Sequence, residues 1–500
     1  MNLSKSKYTR GVQCPKMLWM EEHLSQWYDS SVMNQTVLDN GNAMGDLAMG
    51  YFGSFVEVPF DPQDPQRFAK AKERTQQLLA AGEPTICEAT FDFGGNYCMA
   101  DILRRREDGA FDLVEVKSST HCKEVYLHDM AYQTWVLQQC GLDVRTTSLL
   151  YVNNQYVRQG QLDLQGLFKL EDHTDDVAEM IPAIAARTLA LKATAEQPSE
   201  PQQPLGEQCF SPYECGFRPW CWREMPTPNV FDIGRVHKKK AAELHQRGID
   251  SFQQVMDAPD VWGMLTNKQR QQVEGVARQL PPVIDRAAIS SFLDTLSFPL
   301  YFLDFETFQP AVPLYDGTRP FQQIPCQYSL HVLQAPDAPL EHYEFLAPAG
   351  ADPRRAIAES LVAAIPANVC TLAYNMSFER GRISELADLF PDLAEHLMTI
   401  GANMRDLAVP FQRGDYYDAA MGGSYSIKHV LPALFPNDPD LDYHNLEGVH
   451  NGGEAMAAYG DLVNMTPEDA ARTRQQLLRY CELDTLAMVK IWQRLVEVAQ

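Results

Sequence analysis

The segment PLYFLDFETF, residues 299–308, is almost wholly apolar, the pattern of a strand buried on both faces of a sheet. Two acids interrupt it. Side chains alternate along a strand, so Asp304 and Glu306 project from one face, about 6.6 Å apart at ~3.3 Å per residue. Two carboxylates so placed suit shared metal ions. Buried without a cation, each unpaired charge carries a heavy free-energy penalty.

Two later segments supply further acids. VCTLAYNMSFERGRISEL, residues 369–386, predicts a strand from Val369 to Tyr374 that turns at Asn375 into a helix, with Glu379 at the helix start. Near the C-terminus, Thr466 as N-cap, Pro467 at the first helical position, and Glu468 and Asp469 in the first turn open a long helix. Its apolar stripe runs Leu477, Cys481, Asp484, Met488, Ile491, Leu495, which places an aspartate on the buried face. Tyr480 lies one turn before Asp484 and points the same way.

DxE on a strand, NxxFE after a second strand and YxxxD on a late helix resemble the DEDD exonucleases of the RNase-H-like superfold, in the variant that uses a tyrosine. The resemblance covers about 200 residues. It implies that Asp304, Glu306, Glu379 and Asp484 hold two divalent ions, Mg²⁺ or Mn²⁺, for phosphodiester hydrolysis, and that Tyr480 positions the attacking water. Most of that family carries Asp where Glu379 stands. GSYSIKHVLPAL, residues 423–434, is similar to the family's substrate-side segment.

In the N-terminal half, YCMADILRRREDGAFDLVEVKSS, residues 97–119, predicts a β-hairpin turning near Asp108 and Gly109. Such a hairpin sets Asp101 opposite Glu115, with Lys117 on the face of Glu115. A metal held by both acids, with Lys117 orienting or deprotonating a water, suffices for phosphodiester cleavage; a plain charge pair between Glu115 and Lys117 or an arginine is the alternative. On the next helix Tyr126, Met130, Gln133 and Leu137 share an apolar face, where a glutamine requires a buried polar partner. This D(x13)ExK followed by Gln133 resembles the RecB-like branch of the PD-(D/E)XK nucleases, which implies site roles for Asp101, Glu115, Lys117 and Gln133. GNAMGDLA, residues 41–48, has Gly45 where many relatives have histidine, and no tyrosine follows Gln133 at their usual interval.

Of the 11 cysteines, seven sit singly in apolar segments, where a free thiol behaves as a small hydrophobe. Cys14, in QCPKMLW, and Cys209, Cys215 and Cys221, in CFSPYECGFRPWC, lie among prolines instead. RecB-like nucleases of the CRISPR-adaptation and AddB types carry one cysteine before the core and three after it. That resemblance implies a structural [4Fe–4S] cluster on these four; tetrahedral Zn²⁺ and simple burial are the alternatives. The Cys209 to Cys215 interval is longer than the relatives' usual CxxC.

The 500 residues and 45% hydrophobic composition predict an α/β, multidomain globular chain. Its expected parts are a RecB-like restriction-endonuclease fold over 1–228, a small helical connector over 229–289 and an RNase-H-like (DEDD exonuclease) fold over 290–500. This order resembles a bacterial family of two-nuclease proteins. A net charge of −24 opposes broad coating of nucleic acid but not an enzyme that holds a strand in one cleft. Arg104, Arg105 and Arg106, and Lys238, Lys239 and Lys240 after His237, are the expected phosphate contacts; a solvated helix face is the other reading of the second run. No segment has signal-peptide or membrane-span character, so a cytoplasmic protein is expected. The expected activity is metal-dependent 3′→5′ hydrolysis of DNA, at ends or in single strands. An RNA exonuclease, or a binding module whose sites have decayed, are the alternatives, and no protein partner is indicated.

Overall fold

The computed structural model describes residues 1–33 and 35–500. It is mixed α/β and divides into two compact units, Met1–Met225 with Pro310–Gln322, and Pro226–Gln309 with Gln323–Gln500. No helix among the described residues is long and apolar enough to cross a membrane.

The first unit is built on a seven-stranded sheet. Its strands are β1 (Leu3–Ser4), β2 (Val56–Glu57), β3 (Thr85–Phe93), β4 (Asn96–Arg105), β5 (Phe111–Lys117), β6 (Val144–Val152) and β7 (Phe168–Asp172). The order is β2-β3-β4-β5-β6-β7, with β1 alongside β4. Phe93 pairs with Asn96, leaving Gly94 and Gly95 as a two-residue loop, and both have positive φ, as a type I′ hairpin demands. Helices α1 (Lys5–Gln13), α2 (Pro15–His23), α3 (Gln35–Met49), α4 (Glu124–Gln139) and α5 (Thr174–Ala195) belong to the unit, as does the helix Arg67–Ala81 before β3. The crossover helix α4 joins β5 to its parallel neighbour β6 and is buried from Asp129 to Leu137. Full burial of side chains such as Met130, Val136 and Leu137 contributes about 1.5–3 kcal/mol each.

The expected connector belongs to the second unit rather than standing alone. Helices α6 (Lys238–Gln246) and α7 (Asn267–Ala277) lead to β8 (Val283–Ile284), which pairs with a strand far along the chain, Tyr416–Tyr417. The central sheet comprises β9 (Leu300–Phe308), β10 (Ile324–Leu333), β11 (Leu340–Leu346), β12 (Cys370–Ala373) and β13 (Met404–Asp406), in the order β11-β10-β9-β12-β13; Tyr416–Tyr417 is β14. Strand β9 is therefore central, antiparallel to β10 and parallel to β12. Leu300 and Phe302 enter one hydrophobic cluster, while Tyr301, Leu303 and Phe305 enter another on the opposite face.

Three helices then bring side chains to that sheet: α8 (Ser377–Leu389), α9 (Ile427–Leu434) and α10 (Pro467–Ala499). Helix α10 begins where the sequence places it, with the Thr466 hydroxyl accepting from the Asp469 N–H at 3.2 Å. Its Leu483, Ala487, Met488, Ile491 and Leu495 pack in the cluster that contains Leu300 and Phe302. By alternation, Asp304 and Glu306 continue that same face of β9.

Candidate functional site

In the second unit, Asp304 and Glu306 on β9 meet Asp484 on α10. One ligand atom from each lies within 4.8 Å of the others, and among the described residues this is the one such grouping of three or more acids, histidines or cysteines. Burial, and then the charges of the neighbouring acids, hold the Asp304 and Glu306 carboxyls well above the usual range. Burial likewise pushes Asp484 up to about 6. Three desolvated acids at this spacing are poorly stable as anions and well suited to a divalent cation.

Glu379, expected as a fourth ligand, falls outside that trio. It sits in the first turn of α8, which β12 enters through Asn375 at φ +63°, a left-handed conformation asparagine tolerates. Its side chain is buried, and its Oε2 has no hydrogen-bond partner among the described residues. Burial, then the charge of Asp406, raises its carboxyl to about 8 despite Arg382 nearby. Its charge acts on Asp304 and Glu306, so it borders the trio without joining it.

Two residues absent from the sequence reading complete the surroundings. The Tyr443 hydroxyl donates to Asp484 Oδ1 at 2.6 Å. Lys428, in the first turn of α9, is the cation whose charge opposes the raised carboxyls of Asp304, Glu306 and Asp484. Its ammonium lies 5.8 Å from the Tyr443 ring centroid and 5.9 Å from that of the buried Tyr480. Removing the hydroxyl that orients Asp484 raises that carboxyl further. Tyr443→Phe should therefore weaken Mn²⁺ binding by about tenfold to a hundredfold, as loss of an outer-shell partner does; isothermal titration calorimetry measures it, and unchanged affinity would show that the hydrogen bond does not orient the ligand.

A family described as "Domain of unknown function (DUF2779)" matches residues 301–426. The match takes in Asp304, Glu306 and Glu379 and stops short of Lys428, Tyr443, Tyr480 and Asp484. A curated relative, "Uncharacterized protein MG366 homolog" from Mycoplasma pneumoniae, is 28% identical over 206 residues, 38% of this chain and 31% of that protein. The chain thus spans less than a third of that relative's length. No solved structure matches.

In the first unit, the β4–β5 register pairs Ile102 with Val114, which sets Asp101 against Glu115. The Glu115 side chain is fully buried and accepts from Gln133 Nε2 at 2.5 Å, the partner that glutamine requires. Lys117 Nζ lies 2.6 Å from Glu115 and 2.7 Å from Asp129. Sequence reasoning missed Lys5. Its ammonium stands 3.0 Å from Glu115 and 3.5 Å from Asp101, bridging the two acids expected to share a metal. Burial opposes charge on Glu115, yet Lys117 and Lys5 hold its pKa well below the usual range. Asp101 is raised to about 6 by burial and by Glu115.

Lys5, Asp101, Glu115 and Lys117 line a cleft of about 310 Å³ together with Glu88 and Gly45. Glu88 has φ +56° within β3 and is raised to about 7 by burial and by Asp101. A Cβ at Gly45 would meet nothing within 4 Å, so the position where the RecB-like pattern has histidine opens onto space and supplies no ligand.

Cys14, Cys209, Cys215 and Cys221 line one cavity, between the α1–α2 junction and the segment after α5. Burial pushes Cys14 up to about 11 and Cys215 up to about 12, and the charges of the other cysteines add to both effects. Tetrahedral zinc at ~2.3 Å from each sulfur requires sulfurs ~3.8 Å apart. No three of these sulfurs all fall within 4.8 Å of one another among the described residues. Of the seven other cysteines, Cys122 and Cys140 are only half-buried.

The expected phosphate contacts are half-buried or exposed, and most of them meet a protein partner. Arg104 lies over the Phe52 ring at 4.1 Å. Arg105 donates to the Leu79 carbonyl at 2.7 Å, and Arg106 pairs with Asp112 at 2.8 Å. Lys238 donates to the Phe231 carbonyl at 2.8 Å, and Lys240 lies 3.4 Å from Glu243, which leaves Lys239 as the exposed member of that run. Arginines at a strand end and lysines at a helix start find carbonyls and acids nearby, which a charge count along the sequence does not register.

Proposed function

We propose that this protein is a metal-dependent nuclease that hydrolyses phosphodiester bonds of DNA. In this reading the second unit is an RNase-H-like 3′→5′ exonuclease acting on DNA ends, and the first is a RecB-like unit that grips the strand. The observation that carries it is the convergence of Asp304, Glu306 and Asp484 around one point on a central strand. The orphaned Glu379 Oε2 beside them supports it, since a buried carboxylate oxygen without a donor needs a cation or a proton.

Asp304, Glu306 and Asp484 would hold Mg²⁺ or Mn²⁺. When bound, such an ion supplies Lewis acidity and an acidified water at neutral pH. Tyr443 orients Asp484 through its hydroxyl, Tyr480 positions a water, and Lys428 presents positive charge to a phosphate. In the first unit Lys5 bridges Glu115 and Asp101, which favours gripping over cutting there. A second reading, a binding module with a silent N-terminal site, rests on that same Lys5 bridge.

The four cysteines share one cavity, which supports a [4Fe–4S] cluster on them, with Zn²⁺ as the alternative. The cluster would tie the start of the first unit to its end. Anaerobically purified protein should contain iron and acid-labile sulfide with broad visible absorption, and Cys215→Ser should lose all three. Stoichiometric zinc instead would sink the cluster assignment.

The activity is tested on end-labelled single- and double-stranded DNA and RNA, with Mg²⁺, Mn²⁺ or chelator, using wild type, Asp304→Ala and Lys117→Ala. Stepwise shortening of DNA that stops with chelator and in Asp304→Ala, but persists in Lys117→Ala, is expected. Loss only in Lys117→Ala would move the chemistry to the first unit. Shortening of RNA alone would replace the substrate, and intact substrates with retained binding would leave the binding-module reading.

A further inference from the structure

A cleft of about 450 Å³ opens in the second unit beside residues 234–235, α7 and the start of α9. Its lining includes Arg235, Asn267, Lys268, Gln269, Gln272 and Tyr425, and of the described residues that line it none is acidic. In a chain of net charge −24 such a surface stands out electrostatically. The Arg235 guanidinium lies 5.2 Å from the Tyr425 ring centroid and donates to its hydroxyl at 2.6 Å.

The cleft is built rather than incidental. Arg235 has φ +56°, a left-handed conformation that a residue with a Cβ adopts only when its surroundings impose it. Two glutamines of α7 impose it. Gln272, buried, accepts from the Gly234 N–H at 2.7 Å and donates to the Asp232 carbonyl at 2.9 Å, and Gln269 donates to the Gly234 carbonyl at 3.0 Å. A Cβ at Gly234 would stand 2.8 Å from the Gly423 carbonyl oxygen, so the two backbones meet only as glycines.

We propose that this cleft binds single-stranded nucleic acid, stacking a base on the Tyr425–Arg235 pair and holding a phosphate with Arg235 and with Lys268, whose exposed ammonium exchanges its contact with the Gln412 carbonyl for the phosphate. An aromatic face, two cations and side-chain amides are what a strand-binding surface combines, and no acid is present to repel the backbone. Tyr425 precedes Lys428 by three residues, and its carbonyl accepts from the Tyr374 hydroxyl at 2.6 Å, immediately before the turn that leads to Glu379. The cleft is thus joined by one short segment to the carboxylate site. The assignment rests on the nuclease reading and makes the expected connector a substrate-binding element.

The test is fluorescence polarisation of a labelled oligothymidylate with the full chain in chelator, where no cleavage occurs. Arg235→Ala with Lys268→Ala should bind about tenfold or more weakly with a shallower salt dependence, and Tyr425→Leu about fivefold weakly, in line with one stacked base and lost phosphate contacts. Lys268→Glu, at an exposed position, gives the same direction should the double variant melt early. Wild-type binding that all variants retain overturns the cleft and leaves the nuclease reading intact. Failure of wild type to bind any strand removes the nuclease reading itself. Thymidine monophosphate that competes as well as the oligomer, mole for mole, overturns the strand assignment in favour of a free-nucleotide site.

Discussion

Asp304→Asn should raise the melting temperature of the chelator-treated second unit by several degrees at pH 8 while abolishing its metal-dependent cleavage. The two effects share one cause. Burial, then Asp484, Glu379 and Glu306, raise the Asp304 carboxyl well above its ordinary value, so the folded state prefers it neutral. For a group raised on folding, the stabilising contribution is complete below the unfolded pKa and is lost as pH rises through the folded one. At pH 8 the charge therefore opposes folding, at about 1.4 kcal/mol per unit of raised pKa. Asparagine keeps the shape and removes the charge, and each kcal/mol moves the transition by roughly 2–4 °C in a unit of this size. Glu306 and Asp484 shift in the same direction, so the wild-type unit should also melt at higher temperature at pH 5 than at pH 8 in chelator. Mn²⁺ should raise the wild-type transition and leave the variant's nearly unmoved, since a ligand stabilises only the state that binds it. Loss of the first ligand should slow cleavage by about a thousandfold or more, which corresponds to roughly 4 kcal/mol of barrier. Calorimetric scans with and without Mn²⁺ decide the matter, and a chelated Asp304→Asn protein that melts below wild type would show that the acids are already stabilised by the fold.

What the sequence reveals of this site follows from local rules. The alternation of PLYFLDFETF places Asp304 and Glu306 on the face of Leu300 and Phe302, and the spacing along α10 places Asp484 against that face; both follow from periodicities of two and 3.6. The turn at Asn375 is legible because asparagine tolerates the left-handed conformation. Hairpin arithmetic is equally local, which is why Asp101 faces Glu115. Lys428 and Tyr443 are different. Tyr443 reaches Asp484 across 41 residues, from a short 3₁₀ turn that no apolar period announces. Lys5 reaches Glu115 across 110 residues from an N-terminal helix whose sequence reads as an ordinary amphipathic one. That Glu379 borders the trio rather than falling within it depends on the position of α8 relative to β9, which a pattern match of residue types does not encode. The basic runs show the converse, because a cation count along the chain does not register the carbonyls and rings that Arg104, Arg105 and Lys238 meet.

The second large effect has the opposite sign and belongs to the first unit. Lys117→Met should destabilise that unit by about 3–5 kcal/mol at pH 7, the usual cost of stripping a partner from a buried charge. Lys117 pairs with Glu115, whose side chain has no exposure, and with Asp129 at a buried position. Lys5 and Gln133 remain on Glu115 in the variant, whereas Asp129 loses its ion pair. The pH dependence follows from the depressed pKa of Glu115: its stabilising contribution is present above the ordinary carboxylate range and is lost as pH falls below it. The gap between wild type and Lys117→Met should therefore narrow on acidification, and adding Glu115→Gln should recover part of the loss through a non-additive double-mutant cycle. Melting curves from pH 8 down to about pH 3, below the ordinary carboxylate range, measure all of this, and a Lys117→Met protein as stable as wild type at pH 7 would sink the account. The contrast between the units then becomes chemical. The carboxylates of the second unit have one cation near them and are destabilised by their own charge, so an added divalent ion relieves a standing cost. In the first unit two ammonium groups hold Glu115, although Asp101 and Glu88 stay raised, and an added ion gains access to Glu115 and Asp101 only by displacing Lys5.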